Sequence, residues 1–421
     1  MPFSFSTALS GLNANSNAIS VSGNNIANAN TTGFRAGSIT FADVYASAQG
    51  LRLNGAGSPL QVGGGVRTAA THANFAQGTL NDSTSLTSAA IEGNGFFVVR
   101  NSTGVQSYTR AGDFVLDTQG HLVTPGGQLV QGYPAVNGVV GSSGTLTTLQ
   151  IPVGQTLPPI VTTEGTFRAN LDSLAPTGSE FHTAMQVYDS RGTSRTLDLN
   201  FVKLASGGYS MTASLDGVAA QTSVNGGAPG ATPVSVTFDA SGQLTAPTAL
   251  AIVPDQAPLG GAALPSINIV LRETNPDGSP GAFNLTSFSA ASGVSYTAQD
   301  GSAPGTYSSL LLGEGGVLLA AFSNGQARPV GQYALATFTA QDGLARAGNN
   351  LFSETNTSGQ PSIGTPESSG RGRVVGSVLE ASNVDIASEF VELIKAQRGF
   401  QANSRVISAM NEALQQVFQA I

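Results

Sequence analysis

The sequence predicts a mainly β protein with α-helical ends, because the apolar period changes along the chain. At both ends apolar residues recur every seven positions, the spacing that keeps one face of a helix against a partner helix. Between the ends the period changes to two and glycine-rich turns recur, which is typical of short antiparallel strands. We therefore predict long terminal helices that pair as a coiled-coil-like stem, followed by two β-rich domains, the outer one inserted in the inner one.

The N-terminal helix is predicted to run from about Ser4 to Asn28. Residues 1–34 carry no Asp, Glu, Lys or Arg, although large apolar residues recur within them. An uncharged apolar repeat indicates a surface that becomes buried on assembly. The candidate self-assembly residues of this helix are Phe5, Leu9, Leu12, Ile19 and Ile26.

The C-terminal helix is predicted to begin near Ser382, because Ser382 and Asp385 have the spacing of a capping box. The candidate self-assembly residues here are Ile386, Leu393, Phe400, Ile407, Met410, Leu414, Val417 and Ile421. Apolar residues at helical spacing also occur in ordinary cores. Packing between helices or between subunits is favoured because both ends of the chain carry the repeat.

The domain boundaries are predicted from these changes of pattern. Residues 1–30 with 381–421 form a terminal helical assembly domain, and residues 31–75 with 366–380 form an extended connector. An inner β-domain comprises residues 76–171 with 298–365. The outer β-domain, residues 172–297, contains the clearest alternation, in which Leu197, Leu199 and Phe201 point to one face.

The composition disfavours several classes of function. The chain has 421 residues and a net charge of −8, and its only lysines are Lys203 and Lys395. Nucleic-acid binding requires clustered cations, so we predict no nucleic-acid partner. The absence of cysteine excludes disulfides and thiolate chemistry. Neither a membrane-spanning run nor a secretory signal is recognisable, so we expect no membrane insertion.

No residue pattern indicates catalysis, a cofactor or a metal ion. The three histidines, His72, His121 and His182, lack any metal-ligand spacing, and no lysine follows a glycine as in a phosphate-binding loop. Glu389 and Glu392 are three residues apart, but a helical metal site would also need histidines at matching spacing. We therefore expect a protein that is not an enzyme.

Motifs at both ends and in the middle of the chain resemble the bacterial flagellar rod and hook family. The motifs are SGNNIANANTTGFR at 22–35, IEGNGFFVV at 91–99, YTRAGD at 108–113, ASNVD at 381–385 and AQRGFQANSR at 396–405. They occur in the family's order, which makes the resemblance specific. The signature residues are Asn24, Asn25, Ile26, Ala27, Asn28, Gly33, Phe34, Asn383, Asp385, Gln397 and Arg398.

The resemblance implies an extracellular structural subunit of the flagellar hook–basal body. Such subunits are exported through the flagellar type III apparatus without a cleaved signal and polymerise beneath a hook cap. The resemblance also implies the distal rod and the hook–filament junction protein as partners. Its terminal helices line the inner tube, and sliding between its β-domains makes it a flexible universal joint that transmits torque.

Alternatives within and outside this family remain at this point. A distal-rod subunit shares the terminal motifs, but the 172–297 insertion and the length favour a hook subunit. A surface adhesin with coiled-coil termini is a further alternative, although it requires a cleavable signal that the sequence lacks.

Overall fold

The structure is a computed structural model that describes residues 2–44, 63–136, 138–141, 144–230, 233–274 and 280–419. Side chains at 2–4, 274, 280, 417 and 418 lie outside the description. The chain divides into two compact units. Unit 1 comprises residues 1–153, 309–321 and 327–421, and unit 2 comprises residues 154–308 and 322–326.

Helix α1 is Pro2–Ala27 and helix α2 is Ile386–Gln419, and strands β1 to β35 lie between them. Strands β1 to β11 are Gly37–Asp43, Val66–Ala73, Leu80–Asp82, Ala89–Glu92, Phe96–Arg100, Gln106–Thr109, Val115–Leu116, Leu122–Val123, Leu129–Val136, Val139–Val140 and Thr147–Thr148. Strands β12 to β27 are Thr156–Leu157, Glu164–Asn170, Glu180–Tyr188, Ser194–Lys203, Tyr209–Leu215, Val218–Ala219, Gln221–Val224, Val234–Phe238, Leu244–Ala246, Ala249–Val253, Ile267–Val270, Arg272–Thr274, Pro280–Phe283, Leu285–Thr286, Gly293–Gln299 and Gly305–Leu312. Strands β28 to β35 are Val317–Phe322, Ala327–Tyr333, Leu335–Thr337, Ala345–Gly348, Leu351–Ser353, Ser362–Gly364, Arg373–Gly376 and Val378–Glu380. Short 3-10 turns occur at Ala257–Leu259, Glu314–Gly316 and Gln341–Gly343.

The β body of unit 1 is built around β5. This strand pairs with β6, β9 and β30 in an antiparallel sheet. Phe96 and Phe97 point to opposite faces of the pleat and both are buried, so both faces of the sheet are covered. Phe96 packs against Phe338 and Phe352, and Phe97 packs edge-on against Phe114. The run of apolar residues in β5 is therefore the run expected of a central strand.

Unit 2 contains two sheets that share one apolar core. One sheet has the order β18-β21-β22-β13-β25 with β26 also on β13, and the other has the order β14-β15-β16-β19-β20. The alternation predicted for Leu197, Leu199 and Phe201 is observed, because all three side chains are buried in that core. Leu197 lies opposite Leu215 on the neighbouring strand β16, and Phe201 lies opposite Met211.

The predicted limits of the inserted domain, 172 and 297, fall inside unit 2, which runs from 154 to 308. Strand β13 precedes the predicted start, yet it pairs with β26 antiparallel and with β22 parallel. The Gly/Ser/Pro signal near residue 172 marks the turn after β13, which is a turn inside the unit. A turn signal in the sequence cannot distinguish a turn inside a domain from a boundary between domains.

The same hairpin turn recurs in both units and was not recognised in the sequence. Its first residue, Asn101, Asp117, Asp189 or Asp239, accepts hydrogen bonds at Oδ1 from the backbone amides two and four residues later. The fourth residue of each turn is a glycine with a φ between 77° and 90°. That left-handed conformation is favourable for glycine, which has no Cβ.

The turn at Asp189 illustrates its electrostatics. Burial of the Asp189 carboxylate raises its pKa, but amide hydrogen bonds from Thr193 and Arg191 lower it, and so does Arg195 at 3.2 Å. These hydrogen bonds outweigh the burial, so the pKa lies below the ordinary aspartate value. The ionised carboxylate therefore stabilises unit 2.

Helix α2 begins at Ile386, four residues later than predicted, and its cap is Asp385. Asp385 Oδ1 accepts hydrogen bonds from the amides of Ala387 at 2.9 Å and Ser388 at 3.4 Å. Asp385 is thus the N-cap. Ser382 Oγ accepts a hydrogen bond over 3.4 Å from the amide of Val384, which precedes the helix. The capping-box assignment is wrong because it used the first candidate cap in the motif and not the second.

The predicted connector contains a β-hairpin. Strands β1 and β2 pair antiparallel and lie along α1, and residues 45–62 between them fall outside the described part of the chain. Asn17 Nδ2 donates to Thr68 Oγ1, and the amide of Val66 donates to Ser10 Oγ, each over 3.1 Å. The prediction of a mainly β fold with helical termini that pack together is confirmed.

Candidate self-assembly site and the junction at its base

Helices α1 and α2 pack antiparallel, and two contacts define which residues lie opposite each other. Near the body of unit 1, Asn25 Nδ2 donates to Glu389 Oε1 over 2.8 Å. Further out, a Cβ atom placed on Gly11 would lie 2.8 Å from Asn403 Nδ2. Gly11 lies 14 residues before Asn25 on α1, and Asn403 lies 14 residues after Glu389 on α2. The two helices therefore run in opposite directions in this register.

The face of α1 that meets α2 consists of small and amide side chains. Its buried members are Ala8, Gly11, Ala14, Ser22 and Asn25. The opposing face of α2 is larger, with Ala396 buried and Leu393, Phe400, Asn403, Ile407 and Met410 half-buried. Small residues on one helix let large residues on the other approach its backbone, so these two faces form the seam of the helix pair.

The predicted apolar residues of α1 lie beside this seam. Leu9, Leu12 and Ile26 directly follow buried residues of the α1 face towards α2, and Ile19 directly follows the half-buried Ala18. One residue turns a helix by about 100°. Phe5 and Leu9 are 41% and 42% exposed, and Leu12, Ile19 and Ile26 are half-buried. The seven-residue repeat of α1 therefore marks a second face and not the contact with α2.

Helix α2 also presents apolar residues outside the seam. Ile386, Phe390, Val391, Ile394, Val406 and Leu414 are between 38% and 51% exposed. Of the predicted residues, Leu393, Phe400, Ile407 and Met410 face the seam, while Ile386 and Leu414 continue the same seven-residue repeat at its two ends and are exposed. The Val417 side chain and Ile421 lie outside the described residues.

Part of the outward apolar surface of each helix lies on the same side of the pair. Phe390 and Ile394 directly follow Glu389 and Leu393 of the seam, as Leu12 and Ile26 follow seam residues on α1. In an antiparallel pair of right-handed helices, positions that follow the seam by one residue are on the same side. We call this surface the apolar flank; it comprises Leu9, Leu12, Ile19, Ile26, Phe390 and Ile394.

Asn25 of the N-terminal motif joins the helices to the β body. Its Oδ1 accepts the amide of Gly37 and its Nδ2 donates to the carbonyl of Gly37, each over 2.7 Å. The same Nδ2 contacts Glu389 of α2. Asn25 is 1% exposed, and it links the end of α1, the start of β1 and the first turn of α2.

Gly33 allows the chain to turn closely against the body. Its φ is 66°, and a Cβ atom at this position would lie 2.5 Å from the amide nitrogen of Ala111. The Gly33 amide donates to the carbonyl of Glu380 over 2.7 Å. Phe34, the next residue, is buried beneath the guanidinium of Arg346, 5.4 Å from the ring centroid.

Asn383 fastens the segment that enters α2. Its Oδ1 accepts the amide of Ala36, and its Nδ2 donates to the carbonyls of Asn74 and Ala76, all at 2.8 Å. One side-chain amide thus satisfies three backbone groups of two other segments.

A buried ion cluster lies at the centre of this junction. Arg35 Nη2 is 2.8 Å from Glu380 Oε1, and Arg110 Nη1 is 3.5 Å from Glu380 Oε2. The amide of Gly78 donates to Glu380 Oε1 over 2.8 Å, and Arg35 Nη1 donates to the carbonyl of Ala76 over 2.8 Å. Each charged residue is at most 3% exposed, so all three are held in a region of low dielectric.

Two cations share one carboxylate in this cluster. Burial and the neighbouring Arg35 lower the pKa of Arg110 to about 10, although Glu380 opposes the shift. Arg110 is further held by the carbonyl of Gly93 at 2.7 Å and lies 5.4 Å from the Phe96 ring. Among the described residues, Glu380 is therefore the one carboxylate that pairs with both arginines.

This ion cluster was not predicted from the sequence. A signal was present, because Arg35 is the first charged residue of the chain and ends the N-terminal motif. Arg110 stands in the middle motif, and Glu380 directly precedes the C-terminal motif. The three motifs therefore meet at one site in the fold.

The other signature residues have local roles or exposed positions. Asn28 Nδ2 donates to the carbonyl of Asn24 over 2.9 Å, and Asn28 Oδ1 accepts the Thr31 hydroxyl over 3.1 Å. Ala27, Gln397 and Arg398 are exposed.

Within the described ranges, no group of His, Cys, Asp and Glu residues is arranged to hold a metal ion. His121 Nδ1 is 3.0 Å from Asp117 Oδ2, and His182 Nε2 is 3.2 Å from Glu180 Oε2. Among the helices that the structure describes, none is long and apolar enough to span a membrane.

Comparison with family profiles gives matches along most of the chain. Residues 5–35 match the flagella basal body rod protein family, and residues 90–169 match the flagellar hook protein FlgE/F/G D1 domain. Residues 159–302 match the flagellar basal body protein FlaE D2 domain. Residues 375–420 match the C-terminal region of the flagellar basal body rod FlgEFG proteins.

Similarity to curated proteins extends over nearly the whole length. The flagellar hook protein FlgE of Rhizobium meliloti (strain 1021) is 34% identical, covering 97% of this chain and 96% of the relative. This chain belongs to the flagellar hook protein family. The hook proteins of Treponema pallidum (strain Nichols) and Escherichia coli (strain K12) are 32% and 30% identical, with at least 97% of this chain covered.

A solved structure shows the same fold. The crystal structure of Helicobacter pylori flagellar hook protein FlgE2 aligns with a TM-score of 0.50 and 16% identity, covering 72% of this chain and 100% of that chain. The chain is therefore a structural subunit of the flagellar hook, as the motifs predicted, and neither a distal-rod subunit nor an adhesin is favoured.

Proposed function

We propose that this hook subunit polymerises through its terminal helix pair into a flexible tube that transmits torque from the rod to the filament. The observation that carries the proposal is the apolar flank, which remains outward when the seam between α1 and α2 is already filled. A neighbouring copy of the chain is the occupant that a helical homopolymer supplies.

The size of the flank suits a polymer better than a dimer. The side chains of Leu9, Phe390 and Ile394 are 42%, 49% and 51% exposed. Covering each of them with a neighbouring subunit contributes about 1 kcal/mol to the free energy of association. Association of two proteins costs about 4–15 kcal/mol before any surplus remains. One flank contact is too weak to hold a pair, so stable binding requires several neighbours at once, as in a tube.

The junction supports the torque-transmitting part of the proposal. Asn25, Arg35, Glu380 and Asn383 connect both helices to the β body through buried hydrogen bonds and ion pairs. A subunit whose helices were tethered flexibly would lose torque in the tether. Bending then belongs to contacts between β-domains of different subunits, where residues 172–297 are proposed to form the outer domain.

The further partners and the location follow from family membership and are part of the proposal. The distal rod, the hook cap, the hook–filament junction protein and the type III export apparatus are the expected partners. Export proceeds without a cleaved signal, and the subunit acts outside the cell. The assembly domain is proposed to comprise residues 1–30 with 381–421, the connector 31–75 with 366–380, and the inner β-domain 76–171 with 298–365.

Substitution Ile394→Asp tests the flank. A charge in an interface that must exclude water is strongly unfavourable, so the purified variant should stay monomeric under conditions that give tubes of the unmodified protein. The helix itself should survive, because an acidic residue four positions before Arg398 has a favourable spacing. Circular dichroism checks that survival.

The matched control is Leu174→Asp, the same kind of change at a side chain in unit 2 that is 77% exposed. Electron microscopy and sedimentation should show normal tubes for this control. Tubes of normal length from Ile394→Asp would contradict the assignment of the flank as the polymer contact.

A further inference from the structure

Asn15 and Asn403 occupy equivalent places on the two terminal helices. Asn15 Nδ2 donates to the carbonyl of Gly11 over 2.7 Å, and Asn403 Nδ2 donates to the carbonyl of Gly399 over 3.0 Å. Each helix thus carries a glycine and, four residues later, an asparagine that folds back on the carbonyl of that glycine.

The two motifs face each other reciprocally. A Cβ atom on Gly11 would lie 2.8 Å from Asn403 Nδ2, and one on Gly399 would lie 2.5 Å from Asn15 Oδ1. Real Cβ atoms do not approach other atoms so closely, so a Cβ atom at either glycine would displace the side-chain amide of the facing asparagine. The arrangement is self-complementary about an approximate twofold axis.

The large residues of the seam do not define the register in this region. Leu393, Phe400 and Ile407 repeat every seven residues, so a shift of one heptad presents a similar shape to α1. The opposing residues of α1, such as Ala8 and Ser22, are small and offer shallow steric barriers. Register in such helix pairs is commonly set by a few polar residues in the seam.

The anchor at the base is distant from this region. Asn25, which contacts Glu389, is 14 residues from Gly11, or about 21 Å along the helix. We call residues 2–15 of α1 together with residues 399–419 of α2 the distal half of the helix pair. A second fixed point is needed there to prevent sliding and fraying.

We propose that Gly11, Asn15, Gly399 and Asn403 form a reciprocal lock that fixes the axial register of the distal half of the helix pair. A shift of one heptad places Asn403 opposite Ala18, where a Cβ atom occupies the space. The lock therefore holds Leu9 and Leu12 of the apolar flank at a fixed position relative to α2. It acts within one chain, so it does not depend on polymerisation.

Disulfide trapping tests the register, because the chain contains no cysteine of its own. The matched pair is Ala8→Cys with Ile407→Cys, two seam positions beyond the lock. The offset pair is Ala8→Cys with Leu414→Cys, one heptad further along α2, which lies opposite residue 8 only after a shift of one heptad. In the full-length protein the matched pair should oxidise about tenfold faster, the ratio expected for a mid-range coupling between contacting residues.

Variants that remove or exchange the lock residues test whether those residues cause the faster oxidation of the matched pair. Gly11→Asn places two asparagines against each other, and Asn403→Gly leaves a gap. Either change alone should bring the matched and offset rates within about twofold. The double variant exchanges the two residues across the seam, restores one asparagine opposite one glycine, and should recover most of the preference.

Each outcome is decisive. An absent preference in the unmodified lock overturns the proposal, and so does a preference that survives both single changes. A double variant no better than the singles shows that only local helix propensity was disturbed, which also overturns it. Failure of tube formation with an intact trapping pattern would instead contradict the proposed flank and leave the lock standing.

Discussion

Substitution Glu380→Gln should weaken unit 1 severely while preserving its shape. The glutamine oxygen can still accept the amide of Gly78, but the negative charge that compensates Arg35 and Arg110 is lost. Both guanidinium groups then remain buried without a counter-charge. This separates the electrostatic role of Glu380 from its role in packing.

The magnitude follows from the burial of the cluster. Removing one partner of a buried ion pair costs about 3–5 kcal/mol, and here one carboxylate serves two cations, so the upper part of that range applies. A domain is stable by only about 5–15 kcal/mol. The loss should lower the melting temperature of unit 1 by about 10 °C or more.

Differential scanning calorimetry provides the assay, with the transition of unit 2 as an internal reference. Glu92→Gln is the control, because its ion pair with Arg373 is exposed and should contribute less than about 1 kcal/mol. Adding Arg110→Met to Glu380→Gln should recover part of the loss, since it removes one uncompensated cation. A Glu380→Gln protein that melts like the unmodified one would refute the reasoning.

Two further predictions concern backbone and pH. Gly33→Ala should destabilise unit 1 by more than about 1 kcal/mol, because its φ is 66° and the new methyl would meet Ala111. Gly23→Ala is its control and should stabilise α1 by up to about 1 kcal/mol, since no atom lies within 4 Å of that Cβ; equal urea midpoints for the two would contradict this. Asp189 has a lowered native pKa, so its stabilisation is complete above about pH 4 and is lost as the pH falls through the native value. Asp189→Asn should flatten the acid limb of a stability–pH curve for unit 2, and an unchanged limb would count against it.

Strand position was predictable from the sequence, but sheet partners were not. The alternation at Leu197, Leu199 and Phe201 located β15 because one face of that strand is buried. The parallel pairing of β13 with β22 joins residues about a hundred positions apart, and nothing local records it. Period and turn chemistry act over a few residues, whereas sheet order is decided by contacts over the whole domain.

The sequence did not show which face of α1 meets α2, for a physical reason. The seven-residue repeat predicted packing between helices or between subunits, and the large apolar residues of a helix ordinarily form its packing face. In this helix pair, α2 supplies Leu393, Phe400 and Ile407, so α1 must offer small residues if the helices are to approach. The apolar repeat of α1 then lies one residue away, which a sequence pattern of size and spacing cannot distinguish.

The buried ion cluster at the junction was not predicted from the sequence for a different reason. Arg35, Arg110 and Glu380 are far apart in sequence, and an isolated arginine or glutamate is ordinarily read as a surface residue. Their low exposure is a property of three converging segments. Only the unusual scarcity of charge around Arg35 gave a hint, because a lone charge in an uncharged stretch needs a partner from elsewhere.

The division between small and large residues in the helix pair has a consequence for assembly. If Leu9, Leu12 and Ile26 faced α2, the monomer would bury its apolar surface in itself and leave little to bind a neighbour. With alanine, glycine and asparagine on its seam face, α1 contributes few large side chains to the contact with α2, and its own large residues stay outside. This distribution of small and large residues makes the isolated helix pair weak. Specific contacts at its base and in its distal half are therefore needed to fix its register. A polymer subunit built this way gains most of its helix stability from neighbours, which couples ordering of the stem to growth of the tube.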